Sequence, residues 1–229
     1  MLNPAERLLE IGIGSLHGFS QLLDSIGLKT KKIGQDETGR LEFLYHGSHQ
    51  QGLRMLEPNE SGYGKKYVYG TDSLSSAVIF LGRGRNSFEA SWTMGGKDQY
   101  FCERKYGILD RWYSGVRGSV YVLSPSDFQK DERVSEHEFI SSRPVRILEE
   151  TKVADAKAFL LDLERQGKIE IIQYKDRMTK FPDDSDLVEM CLNGLGKYSV
   201  EFTLKRIRKL QPQIEKEFLE KAQRRMTGL

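Results

Sequence analysis

The apolar side chains Leu9, Ile13, Leu16, Phe19, Leu23 and Ile26 return at steps of three or four, the period of an amphipathic helix. Gly12 and Gly14 interrupt that stripe, Gly27 suits its C-terminal cap, and "KTKKIGQDETGR" then reads as a polar connector. The middle of the chain changes period. Short apolar or aromatic runs, "LEFLY", "KYVYGT", "SVYVL", "HEFIS" and "PVRIL", are separated by Gly, Ser and Asp and predict strands. Between them "SLSSAVIFLG" predicts a short helix, and the glycines of "GRGRNSFEASWTMGGKDQ" predict turns. After Thr151, "VADAKAFLLDLERQGK" predicts a helix with Gly167 near its end, and "IEIIQY" a strand that completes the core. Helices are expected again from Asp186 to Leu192, Ser199 to Lys209 and Pro212 to Met226, with Pro212 in a first turn. Leu204, Ile207, Leu210, Ile214, Phe218 and Ala222 form a stripe there that predicts packing rather than exposure.

Strands in the middle and helices at both ends predict an α+β protein. Three regions follow: a helix and connector over 1–39, a core over 40–175 and a helical extension over 176–229. A chain of 229 residues is long enough for one substantial core with an appendage.

Composition narrows the partners. With 35 Lys and Arg against 33 Asp and Glu, no overall field marks a nucleic-acid or membrane protein. Cys102 and Cys191 are the two cysteines and have no ligand spacing, so neither a metal site nor a disulfide framework is expected. No run approaches the roughly 20 apolar residues of a membrane span, which predicts a cytoplasmic protein with no membrane partner.

Three stretches carry candidate chemistry. In "FLYHGSHQ", His46 and Gly47 follow an apolar run and sit at an expected strand end. There an imidazole can hydrogen-bond a ligand hydroxyl, and a glycine lets a planar group approach the main chain. In "GKKYVYGTDSLSSA", Tyr67 and Tyr69 lie on an alternating strand ahead of a small-residue helix start, and a tyrosine ring there can stack on a flat heterocycle. In "SEHEFISSRPVRIL", Glu136 and Glu138 stand two apart in an expected strand, which points both carboxylates to one face.

The order of these stretches resembles the ADP-ribosyltransferase superfamily, in the His-Tyr-Glu branch that includes the poly(ADP-ribose) polymerases. His46 and Gly47 match that branch's His-Gly pair. Tyr69 matches its second motif, Ser76 and Ala77 its Ser-Ala, and Glu138, ahead of Phe139 and Ile140, its catalytic Glu. The matched stretch runs from Leu44 to Leu148, about half the chain. A second stacking Tyr found in many members is replaced by Ile79, with Phe80 one residue later.

The resemblance implies a core of antiparallel sheets flanked by helices, and NAD as substrate with no metal. It implies transfer of a single ADP-ribose unit to an unknown acceptor, a protein, nucleic acid or small molecule, with release of nicotinamide. Glu138 would then bind the nicotinamide ribose and stabilise its developing cation. His46, Gly47, Ser48, Tyr69 and Ser76 would bind NAD. Glu136 would bear on acceptor choice, Phe80 on stacking, and Arg54 and Lys65 on the pyrophosphate. Hydrolysis of NAD, an RNA 2′-phosphotransferase-like reaction opened by Tyr45, His46 and Gly47, and a non-catalytic module that binds NAD or ADP-ribose remain alternatives. Oligomeric state has no signature.

Overall fold

The computed structural model describes residues 41–60, 65–84, 86–132, 134–196 and 198–227. The helix expected over 9–26, its Gly27 cap and the connector to 39 lie outside the described residues. The chain forms two compact units. One draws its described residues from 41–83, 93–99 and 113–170, the other from 84–92, 100–112 and 171–227.

The first unit is α+β, built on a curled antiparallel sheet. Its strands are β1 (Leu44–Ser48), β2 (Met55–Leu56), β3 (Asn59–Glu60), β4 (Lys66–Thr71), β7 (Gly118–Leu123), β8 (Glu138–Ser141) and β9 (Val145–Val153). Their order is β2-β9-β7-β1-β4-β3, with β8 also paired to β4. β1 runs beside β7 over its whole length, from Leu44 opposite Leu123 to Ser48 opposite Ser119. His46 therefore sits inside a strand and not at its end, because β7 offers ladder partners that the local sequence does not reveal.

Alternation divides the sheet's two faces. Leu44, Val68, Tyr121, Leu123 and Phe139 cluster on one side with Leu56 and Val145. Helix α1 (Leu74–Ile79) packs against β1 and against α3 (Ala156–Arg165). α1 is short and buried at every position, and the Ser73 side chain caps it by accepting from Ser76 N–H at 3.2 Å. β9 continues to Val153, so α3 begins only after Asp155, whose carboxylate accepts from Ala158 N–H at 2.9 Å. Gly167 closes that segment at φ +68°, a left-handed position that favours glycine.

The second unit has a three-stranded sheet of β5 (Ala90–Trp92), β6 (Tyr100–Glu103) and β10 (Glu170–Ile172) in the order β10-β6-β5. It also contains α2 (Ile108–Tyr113), α4 (Arg177–Lys180), α5 (Ser185–Asn193), α6 (Val200–Leu210) and α7 (Glu215–Thr227). Two expectations are corrected here. The stretch read as turns contains β5, held together by pairing with β6 and by edge-to-face contacts of Trp112 with Trp92 and Phe101 at 6.3 and 6.1 Å. β10 does not complete the main sheet, because its partner is β6.

The C-terminal stripe is buried as its period predicts. Ile207, Ile214, Phe218 and Ala222 join Leu187, Val188, Cys191 and Leu192 around Phe88, with Leu204 and Leu210 packed alongside. Phe218 is fully buried. Phe218→Ala is expected to destabilise this unit by about 3–5 kcal/mol, the usual effect of emptying a large aromatic site. Urea unfolding followed by circular dichroism checks it, and a loss below about 1 kcal/mol would show that the site collapses freely. No helix among the described residues is long and apolar enough to cross a membrane.

Candidate functional site

The site is built where β1 and β4 part company. Their pairing consists of Tyr45 opposite Thr71, while β3 takes the other end of β4 with Asn59 opposite Tyr67. Between these two anchor points the Tyr69 carbonyl is met by a side chain: His46 Nδ1 lies 2.7 Å from it. A carbonyl only accepts, so Nδ1 carries the proton and donates, which leaves His46 Nε2 as a bare acceptor.

Burial pushes the His46 pKa below its usual 6.5, partly opposed by the bond to the Tyr69 carbonyl, so the ring is neutral at pH 7. As pH falls through 6.5, the unfolded imidazole takes a proton that the folded one still refuses. Stability is therefore complete above pH 6.5 and declines below it until the folded ring also titrates. His46→Gln is expected to flatten the fall in unfolding free energy between pH 7.5 and 5.5, roughly the imidazole range. Denaturant titrations at the two pH values measure it, and an unchanged slope would deny His46 that role.

A cavity of about 340 Å³ opens beside this bond, within the range of small-ligand pockets. His46, Ser48, Gln50, Asn59, Tyr67 and Tyr69 line it, with Leu53, Leu56 and Val68 as apolar wall. Glu57 and Glu60 stand among its lining residues and, among the described residues, no Lys or Arg does, so this lining suits a neutral or cationic group better than a phosphate. Tyr67 and Tyr69 meet edge to face at 6.1 Å. The Tyr69 hydroxyl is buried and has no hydrogen-bond partner among the described residues. Gln50 and Asn59 had no motif to mark them; Asn59 comes to the cavity through its pairing with Tyr67, which joins β3 to β4.

Glu138 opens β8 and pairs with Thr71 on the opposite edge of β4 from β1. Tyr69 is its diagonal neighbour on that ladder, and such pairs stand roughly 7–8 Å apart. His46, Tyr69 and Glu138 thus occupy three adjacent strands, β1, β4 and β8. Glu138 does not belong to the wall of the cavity. Its Oε2 accepts from Ser135 N–H at 3.2 Å, and its own N–H donates to the Ser135 carbonyl at 2.9 Å. That turn corrects the expectation for Glu136. The residue precedes β8, so alternation does not apply, and its side chain is 87% exposed. Lys130 stands over the Phe139 ring at 3.7 Å, with its Nζ 3.5 Å from the Glu138 carbonyl. Burial lowers the Lys130 pKa, opposed by Asp72, Glu136 and Glu138.

The remaining candidates fall away from the cavity. A Cβ on Gly47 would lie 2.0 Å from the Ala77 carbonyl oxygen, so the glycine is demanded by the approach of α1 to β1. Ser76 is fully buried, and its Oγ accepts from Gly95 N–H at 3.1 Å and Gln99 Nε2 at 2.7 Å. Ile79 is buried in α1, and Phe80 caps the same helix by donating its N–H to the Ser76 carbonyl at 3.1 Å. Arg54 and Lys65 are exposed and do not line the cavity. Among the described residues no cluster of His, Cys, Asp and Glu could hold a metal ion. No family model, curated protein or solved structure matches the chain.

Proposed function

We propose that this protein is an enzyme of the ADP-ribosyltransferase type, which cleaves the nicotinamide–ribose bond of NAD and transfers a single ADP-ribose unit to an acceptor. The observation that carries the reading is the chain of His46, Tyr69 and Glu138 across three neighbouring strands, with a neutral His46 Nε2 beside the cavity.

Such a cavity suits a nucleoside. A ribose hydroxyl donates to His46 Nε2, the base packs on the Leu53 and Val68 wall, and the pyrophosphate lies outside a lining that has no Lys or Arg among the described residues. The other nucleoside extends past Tyr69 toward Glu138, where its nicotinamide ring meets an aromatic face. Breaking the C1′–N bond sends the bonding pair to the nicotinamide nitrogen and leaves positive charge on the ribose. A carboxylate beside that ribose, fixed beforehand by the Ser135 N–H, stabilises the charge as it forms. Nothing in this scheme requires a metal, and the same cation yields to water in the hydrolytic version of the reaction.

Nicotinamide release from NAD by the purified protein tests the proposal, with NAD binding followed by calorimetry. Release that depends on Glu138 supports it. Binding without release under any condition would turn the protein into a non-catalytic NAD module, and neither binding nor release would overturn the reading.

A further inference from the structure

Beyond the end of β4, and just before β8 begins, lies a second histidine that the scheme above leaves unused. Asp72 Oδ2 is 2.9 Å from His137 Nδ1, and Asp72 N–H donates to the His137 carbonyl at 3.4 Å. The other ring nitrogen, Nε2, faces Glu136 Oε1 at 3.5 Å, a loose contact with a side chain that is largely in solvent. His137 itself is partly exposed. The second carboxylate oxygen of Asp72, Oδ1, is buried and has no hydrogen-bond partner among the described residues, an unfavourable arrangement for a purely structural acid.

The pair is built in from the side as well. Gly95, at φ +64°, lies so close that a Cβ would stand 2.4 Å from the His137 ring and 2.9 Å from Asp72 Oδ1. Its loop is pinned by Gly95 N–H and Gln99 Nε2 donating to Ser76 Oγ, and by Ser73 Oγ donating to Gln99 Oε1 at 2.7 Å. Among the described residues, charged groups near the dyad include Glu136 and Glu138 on its own turn, Asp72 from the end of β4, and Lys130, which feels all three acids.

We infer that His137, oriented by Asp72, is the base that takes the proton from the acceptor hydroxyl during ADP-ribose transfer. This rests on the function proposed above. As the C1′–N bond breaks and its electron pair leaves with nicotinamide, the acceptor oxygen bonds to C1′ and its proton passes to His137 Nε2. The imidazolium is held by Asp72 and returns the proton to water. Asp72 is the positioning residue: with Nδ1–H donating to its carboxylate, Nε2 is the nitrogen left basic.

The test separates bond cleavage from acceptor attack. Exchange of labelled nicotinamide into NAD needs the C1′–N bond to break and re-form but moves no acceptor proton, whereas hydrolysis of NAD, with water as acceptor, does. In His137→Asn, hydrolysis is expected to fall about 100-fold, a common magnitude for removing a general base, and exchange to fall far less. In Asp72→Asn, which keeps His137 but leaves its ring unoriented, hydrolysis is likewise expected to fall well below exchange, a split that a purely structural role would not produce. The Asp72 variant also covers the case in which His137→Asn fails to fold. Exchange and hydrolysis that fall together would overturn the inference alone. Wild-type protein that performs neither reaction would overturn the NAD reading beneath it.

Discussion

Glu138→Gln is expected to lower nicotinamide release from NAD by about 100- to 1,000-fold, the range seen when one preorganised charge-stabilising group is removed. The substitution keeps the shape of the side chain, and the amide oxygen can still accept from Ser135 N–H, so the turn that opens β8 should survive. In the proposed reaction, what disappears is the negative charge beside the ribose at the moment positive charge develops there. Because that interaction is strongest in the transition state, kcat should carry most of the loss and KM little of it. Steady-state kinetics of nicotinamide release, with circular dichroism to verify folding, measure the effect. Turnover within a few-fold of wild type would remove Glu138 from the chemistry. A large rise in KM with kcat preserved would make it a binding group only.

The largest effect on folding is expected at Gly47. An alanine there sets its Cβ 2.0 Å from the Ala77 carbonyl oxygen and 3.0 Å from the Ala77 carbonyl carbon, both main-chain atoms of α1. A flexible side chain could swing away, but a buried helix backbone can move only as a unit, and every residue of α1 is buried. Gly47→Ala should therefore destabilise the first unit by about 3 kcal/mol or more, at the upper end of what overpacking causes. Gly52 supplies the contrast: nothing lies within 4 Å of its notional Cβ, and only its φ of +72° resists alanine. Urea unfolding of both variants decides the matter. A Gly47→Ala loss below about 1 kcal/mol would mean that α1 can retreat from β1 at little cost. The prediction also bears on function. Gly47 is needed for the fold before any ligand arrives, so a loss of NAD turnover in that variant says nothing by itself about NAD binding by Gly47.

Much of the architecture is local in origin and could be read directly. "KYVYGT" has the alternation of a strand and becomes β4 over Lys66–Thr71. The stripe through Ile207, Ile214, Phe218 and Ala222 has the helical period and is buried. Gly167 stands where a helix has to stop, and takes the left-handed backbone that glycine tolerates. The differences lie where a pairing partner had to come from another segment. Three residues, Ala90 to Trp92, form a strand only because β6 supplies the other half of the ladder. "IEIIQY" looked like one more strand of the main sheet, yet it joins β6 in the other unit.

For the candidate site, the residue types His46, Tyr69 and Glu138 were legible, since their order along the chain carries the resemblance. Their arrangement was not. His46 donates to the Tyr69 carbonyl because β1 leaves β4 after a single pair, and no local pattern encodes where a ladder stops. Glu136 and Glu138 look alike in sequence, but a turn at Ser135 exposes one and holds the other. Asp72 and His137 lie 65 positions apart and meet only through the pairing of β4 with β8.

The sequence by itself determined the class of the fold, the periods of its main helices and strands, and the inventory of groups able to do chemistry, because these depend on short-range sterics and on residue identity. The tertiary structure alone decided which nitrogen of His46 is free, why Gly47 is a glycine, and that Asp72 orients a second histidine. Each of these depends on contacts between residues distant in the chain, where the geometry of pairing, rather than the identity of either partner, sets protonation, burial and reach.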